Sequence, residues 1–180
     1  MMDKFRNQSG FSLMETLAAL LILVLLVAGV GAGIQAGSRV YREASFESDS
    51  AALAQILNTA LEDILRWSRD VTVAEDGNFV FTNADYGIRD AGFCDIMDKA
   101  SDGVLQMQER HSGKTVVPVD PGAYSGLALS ELEIRYSPRE GPGAAGGYFE
   151  IRYTIIDPEN PEQMHRVETV VRHMNDKQES

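Results

Sequence analysis

The sequence has almost no cysteine: Cys94 is the only one in 180 residues, which excludes a disulfide within the chain. A catalytic thiol needs a histidine partner and an electropositive setting. Cys94 instead precedes an acid, Asp95, so we interpret it as a small buried side chain. An exported domain of this composition must be held together by its core alone.

Basic residues are also scarce, with 16 Lys and Arg against 27 Asp and Glu and a formal net charge of −11. The first 38 residues contain two charges of each sign, so the acidic excess belongs to the rest of the chain. No cluster of Lys and Arg is longer than a pair. We therefore expect no nucleic acid partner for the acidic part, because nucleic acid binding depends on basic surfaces.

Catalytic and metal-binding motifs are missing as well. The three histidines, His111, His165 and His173, lack the H-x-x-x-H and H-E-x-x-H spacings of zinc sites. No G-x-S-x-G, P-loop or G-x-G-x-x-G pattern occurs, and the glycine-rich stretch 141–147 has no following Lys-Ser or Lys-Thr. The sequence predicts no catalytic, cofactor-binding or metal-binding residue.

Five acids gather in one irregular region of the sequence. Calcium prefers such oxygen ligands, but the spacing is not that of an EF-hand loop. We interpret the region as a solvated acidic loop, with calcium binding as the less favoured alternative. The acids are Asp85, Asp90, Asp95, Asp98 and Asp102.

Neither a proline nor a charge interrupts the segment from Thr16 to Ser38, and the first proline of the chain is Pro118. About 20 apolar residues in a helix span a bilayer, and this segment has 23 uncharged ones. Ser12-Leu13-Met14-Glu15 has the S-x-x-E form of a capping box, with Ser12 as the N-cap. A helix is predicted to begin there.

The helix is predicted to continue to about Ser68, since apolar residues then recur at the i, i+3, i+4 spacing of an amphipathic helix. At ~1.5 Å per residue, such a helix would be roughly 80 Å long. Trp67, at the end of the stripe, is expected to pack in the core or on the sheet. The stripe consists of Leu53, Ile56, Leu57, Ala60, Leu61, Ile64, Leu65 and Trp67.

Beyond Val71, short runs of alternating polar and apolar residues predict antiparallel strands with one buried face. The fold class predicted is α+β, with the long helix packed on a small antiparallel sheet. A short helix is expected at 95–100, a flexible connection at 137–147 and a turn at 157–161. The predicted strands are Asn78–Thr82, Val104–Gln108, Lys114–Val119, Leu129–Tyr136, Tyr148–Ile156 and Arg166–His173.

Three interpretations of the N-terminus compete. A secretory signal peptide would use Lys4 and Arg6 as its basic region, but Glu15 interrupts it and cleavage after the apolar run would divide a continuous helix. A plain single-span anchor fits the length, but it leaves Gly10, Phe11 and Glu15 unexplained, and basic residues flank both ends.

The third interpretation is a resemblance. Gly10-Phe11-Ser12-Leu13-Met14-Glu15, after a short basic leader, resembles the signal of type IV prepilins and type II secretion pseudopilins. This resemblance implies cleavage after Gly10 by a prepilin peptidase and N-methylation of Phe11. It divides the chain into a leader (1–10), a transmembrane and assembly half-helix (11–38) and an extracytoplasmic pilin-like head (39–180).

The resemblance also implies a life cycle: single-pass insertion in the cytoplasmic membrane, contact with lipid, then assembly with other pilin or pseudopilin subunits through the N-terminal helices. The filament lies in the periplasm or at the surface. Two departures stand out. Many pilins have a helix-kinking proline where this chain has glycines, and many major pilins have a disulfide. The second departure favours a minor pilin or pseudopilin. The glycines are Gly29, Gly31, Gly33 and Gly37.

Glu15 has two compatible roles. It completes the capping box at the positive end of the helix dipole. The resemblance further implies that it pairs with the amino group of Phe11 in a neighbouring subunit, since each charge alone is costly in an apolar core.

Two alternatives to a pilin belong to other functional classes. One is a membrane-anchored extracytoplasmic binding domain unrelated to pili, and the other is an exported enzyme with a conventional signal peptide.

Overall fold

The computed structural model describes residues 13–73, 78–96, 102–139 and 146–174. Within these residues, one long helix is followed by eight strands, as predicted for an α+β fold. The chain divides into two compact units, Met1–Ala44 and Ser45–Ser180. The elements are α1 (Leu13–Arg66), β1 (Arg69–Val73), β2 (Phe79–Asn83), β3 (Ile88–Phe93), β4 (Met107–Glu109), β5 (Thr115–Val116), a 3₁₀ turn (Pro121–Tyr124), β6 (Ala128–Pro138), β7 (Gly147–Asp157) and β8 (Asn160–Arg172).

The strands form two antiparallel sheets where the sequence predicted one. The first has the order β1-β2-β3-β4-β5 and the second the order β6-β7-β8. In β7 the residues of one face are almost fully buried, which confirms the predicted alternation. These residues are Phe149, Ile151, Tyr153 and Ile155.

The predicted turn at 157–161 is shorter than expected. Only Pro158 and Glu159 form the turn, and β8 begins at Asn160. Pro161 is therefore inside a strand, where its missing N–H removes a donor. The position is tolerated because β8 is the last strand in the described order β6-β7-β8 and its pairing with β7 shifts register beside Pro161, between the pairs Ile156–Met164 and Asp157–Asn160.

The second half of α1 packs its stripe into the core of the Ser45–Ser180 unit. The buried stripe is Leu53, Ala54, Leu57, Leu61, Ile64 and Leu65. The same apolar cluster includes residues of both sheets, and the rings of Phe79 and Phe149 meet across them with centroids 5.3 Å apart. Burying side chains of this size stabilises the fold by about 1.5–3 kcal/mol each.

The carbonyls at the end of α1 are satisfied by residues far along the chain. The Asn83 amide donates to the Ile64 carbonyl (2.9 Å) and the Met174 backbone N–H donates to that of Arg66 (3.1 Å). His173 Nε2 lies 2.8 Å from the Ser68 carbonyl oxygen, so this nitrogen carries the proton and donates. The first two bonds pair carbonyl groups that the helix end leaves without partners, and the third pairs that of Ser68, two residues beyond the helix.

Several local predictions were wrong. Trp67 is 47 % exposed, so it is not a core residue; it follows the last residue of α1, Arg66. Cys94 is only half-buried. Strands β1 and β3 were not predicted, and β4 and β5 are shorter than the predicted 104–108 and 114–119. Of the helix predicted at 95–100, Asp95 and Ile96 are not helical and the rest lies outside the described residues.

Tyr153 joins β7 to α1 by its hydroxyl group, which lies 3.0 Å from both the Ala54 carbonyl oxygen and Asn58 Oδ1. The side chain is 2 % exposed. Burial, and secondarily the nearby Tyr124, raises the pKa of Tyr153 far above the ordinary tyrosine value. The hydroxyl therefore stays protonated and remains a donor throughout the physiological pH range.

Tyr153→Phe is expected to lower the free energy of unfolding by about 1–1.5 kcal/mol, since it removes a buried hydrogen bond without changing the ring packing. Urea denaturation of the full-length protein in detergent measures the difference. Tyr148→Phe is the matched control: Tyr148 lies on the same strand but is 43 % exposed, and its variant should unfold like the parent. Equal stability of Tyr153→Phe and the parent would contradict this role.

Candidate functional site: the N-terminal helix

The apolar half of α1 is exposed along its whole circumference. Thirteen large hydrophobic side chains between Leu13 and Ile34 are 55–79 % exposed. By length and composition α1 can cross a membrane, and none of its most apolar window is buried. An exposed apolar surface of this extent marks a segment that contacts lipid or other protein.

The glycines of this segment have no packing role within the described part of the chain. A Cβ added at Gly29, Gly31, Gly33 or Gly37 would meet no atom within 4 Å. Each glycine costs about 1 kcal/mol of helix propensity relative to alanine, and no contact within the described part of the chain offsets that cost. Small residues on an apolar helix permit close approach of a second helix.

Glu15 lies in the first turn of α1 and is exposed. Its negative charge suits the positive end of the helix dipole. The neighbouring Thr16 hydroxyl donates to the Leu13 carbonyl at 2.8 Å. Gly10, Phe11 and Ser12 lie outside the described residues, so the cleavage site, the methylation site and the capping box stay predictions.

Charged residues return just after the apolar segment. Arg39, Arg42 and Glu43 are exposed, and none of them forms an ion pair within the described residues. Arg39 and Arg42 are the basic residues that flank the C-terminal end of the possible single-span anchor. Arg39 and Glu43 are four residues apart, which brings opposite charges to one side of the helix.

The structure does not gather the acids or histidines of the head. No group of three His, Cys, Asp or Glu side chains suited to a metal occurs in the described part of the chain, from which Asp98 is missing. His111 Nδ1 lies 3.1 Å from Asp90 Oδ2 at the surface. His173 is buried between Ser68 and Tyr136, and His165 is half-buried on β8.

A cleft of about 990 Å³ opens between the first sheet and β6, and Cys94 lines it. The described lining residues include three acids, Asp95, Glu131 and Glu133, but a single basic residue, Arg110, and no histidine. Such surroundings do not favour a thiolate, which needs positive charge nearby.

A family model described as the prokaryotic N-terminal methylation motif matches residues 5–31. The match includes Gly10, Phe11 and Glu15 and ends within the glycine cluster at Gly31. No curated protein and no solved structure matches the chain. The motif and the exposed helix are therefore the features that indicate a function, and the head contributes its α+β architecture.

Proposed function

Since this chain belongs to the type IV prepilin-like family, we propose that it is a structural subunit cut after Gly10, N-methylated at Phe11 and added to a type IV pilus or type II secretion pseudopilus. The prepilin peptidase is its processing enzyme, and other pilins or pseudopilins are its assembly partners. The chain performs no catalysis of its own.

The observation that carries this proposal is the exposed apolar half of α1, directly joined to the matched motif. Thirteen exposed large hydrophobic side chains, at about 1.5–3 kcal/mol each on full burial, represent tens of kcal/mol of unfavourable contact with water. A membrane removes this surface from water before assembly. A bundle of like helices removes it afterwards, so the same segment serves both states.

Cleavage after Gly10 links the membrane-inserted state to the assembled state. It removes Lys4 and Arg6 and creates a positively charged amino group on Phe11. In a helix bundle this amine needs a counter-charge, and Glu15 of a neighbouring subunit supplies one. Processing thus produces one member of the assembly pair and Glu15 is the other.

Two features favour a minor subunit. The single cysteine cannot close the disulfide that many major pilins contain. The head is also acidic, and most of the described residues between β3 and β6 belong to no helix or strand. The head lies outside the cytoplasm, where a net charge of −11 keeps it soluble before assembly.

Mass spectrometry of purified filaments and of membranes from the native host tests this function. The expected N-terminal peptide begins at Phe11, carries one extra methyl group and disappears when the processing peptidase is deleted. A chain that retains its first ten residues in both fractions would instead be a single-span membrane anchor with a binding head.

A further inference from the structure

A stripe of hydrogen-bond donors follows the apolar segment on one side of α1. Helix positions i, i+3, i+4 and i+7 fall within an arc of about 100°, and here all four carry side chains that donate. Two of them are guanidinium groups, and none of the four is an acid. This donor stripe consists of Gln35, Ser38, Arg39 and Arg42, and all four residues are exposed.

The opposite side of α1 at this level is apolar or small. Val40 and Tyr41 are 64 % and 75 % exposed, and both lie more than 100° round the helix from the middle of the donor stripe. The other residues of this side are Ala36, Gly37 and Ala44. A helix with one polar and one apolar side, and with a tyrosine at its border, suits the layer where hydrocarbon meets water.

The donor stripe also lies at the depth of the lipid headgroups. The helix from Leu13 to Ile34 is about 33 Å long, which matches the ~30 Å of hydrocarbon in a bilayer. Arg39 and Arg42 lie about 7.5 Å and 12 Å beyond Ile34, and the headgroup layer is about 5–7 Å thick. Helical side chains tilt toward the N-terminus, so both guanidinium groups can reach back into this layer.

The donors are not used within the described part of the chain. Arg39 and Arg42 form no ion pair there, and Arg39 precedes Glu43 in the less favourable order for an i, i+4 pair. The Thr16 hydroxyl donates to a carbonyl of its own helix, whereas the Ser38 hydroxyl forms no such bond among the described residues. Like charges three residues apart repel each other, and an anion held between them removes that repulsion.

We propose that the donor stripe binds the phosphate group of a membrane phospholipid, in the leaflet at the C-terminal end of the α1 span. Guanidinium groups bind phosphate oxygens through two parallel hydrogen bonds, and Gln35 and Ser38 add neutral donors. A phospholipid is the occupant because the bilayer that covers the apolar segment continues over the stripe with complementary charge. The contact needs α1 in a membrane, but neither cleavage nor filament assembly.

Native mass spectrometry of the full-length chain in detergent measures which lipid the chain retains. Phosphatidylglycerol is compared with diacylglycerol of the same acyl chains, which has no phosphate, and only the first should be retained. Arg42→Gln should lower that retention about fivefold, the equivalent of about 1 kcal/mol for one basic residue near a lipid surface. Arg89→Gln is the matched control, since it removes an exposed charge of the head and should change nothing.

Three results would overturn the proposal. Equal retention of the two lipids would mean that the acyl chains alone bind α1. Equal losses in Arg42→Gln and Arg89→Gln would mean that the lipid responds to overall charge rather than to the donor stripe. Dimers in place of lipid adducts, dissociated by Arg42→Gln, would assign the stripe to a second copy of the chain.

The depth of the stripe gives an independent measurement. Trp67 is the only tryptophan, so Trp67→Phe combined with Tyr41→Trp places a single fluorophore beside the donors. In vesicles, its fluorescence should be quenched more by lipids brominated next to the headgroup than by lipids brominated at the ends of the acyl chains. Absence of quenching, or stronger quenching by the chain ends, would place position 41 outside the headgroup layer and overturn the proposal.

Discussion

Gly10→Val is expected to abolish processing, so that the whole chain retains its ten-residue leader and stays in the membrane. The prepilin resemblance implies that the scissile bond follows Gly10, and glycine has no Cβ to hinder approach to its carbonyl. A branched side chain at this position blocks that approach. The apolar half of α1 is unchanged and still inserts in lipid, but Phe11 never gains a free amino group.

The measurement is the N-terminal mass of the protein from membranes and from filaments. Ser9→Ala, one position earlier, is the matched control, and its product should begin at Phe11 with a methyl group. Gly10→Val should be absent from filaments, because a buried Glu15 would lack its counter-charge and the charged leader would enter the apolar bundle. Cleavage of the Val variant at the same bond would contradict the role of Gly10.

The elements predicted well from the sequence are those with long local periodicity. Helix α1 was predicted to within about two residues at its C-terminal end, because its stripe repeats over several turns. Strands β6 and β7 follow an alternation of more and less buried residues, interrupted in β7 by the buried Thr154, and each lies within about two residues of its predicted bounds. In all three elements, α1, β6 and β7, the pattern of residues close together in the sequence is enough to predict the secondary structure.

The elements missed depend on pairing between distant residues. Strand β1 begins with Arg69 and Asp70, and β3 contains Asp90 and Gly92, so neither reads as a strand. Both form strands because β2, which is buried along almost its whole length, pairs with each of them. The roles of Asn83 and His173 at the end of α1 are equally non-local and have no sequence signal. The division into two sheets follows from the same long-range pairing.

The residues of the candidate site, in contrast to these strands, have a local signal in the sequence. Gly10, Phe11 and Glu15 were predicted from a short motif, whose chemistry depends on order along the chain and hardly on the fold. An exposed apolar helix shows which surface requires a partner.

Glu15→Val is expected to be processed normally and yet be excluded from filaments. The cleavage site is unchanged, so the N-terminus should still be methylated Phe11. The assembled neighbour's amine, however, would be buried without a counter-charge, which costs about 3–5 kcal/mol per contact, or two to four orders of magnitude in affinity. Thr16→Val is the matched control, because it introduces the same side chain one residue later and removes only a local hydroxyl bond to Leu13.

Glu15→Gln separates the two roles of this residue. Glutamine serves as well as glutamate in a capping box, so the start of α1 keeps its local hydrogen bonds. It has no charge, so the intersubunit ion pair is lost. If pairing governs assembly, the Gln variant should be processed and then accumulate in the membrane, like the Val variant, when filaments and membranes are quantified together. Normal incorporation of Glu15→Gln would mean that helix capping alone is what Glu15 contributes, because the only property removed is its negative charge.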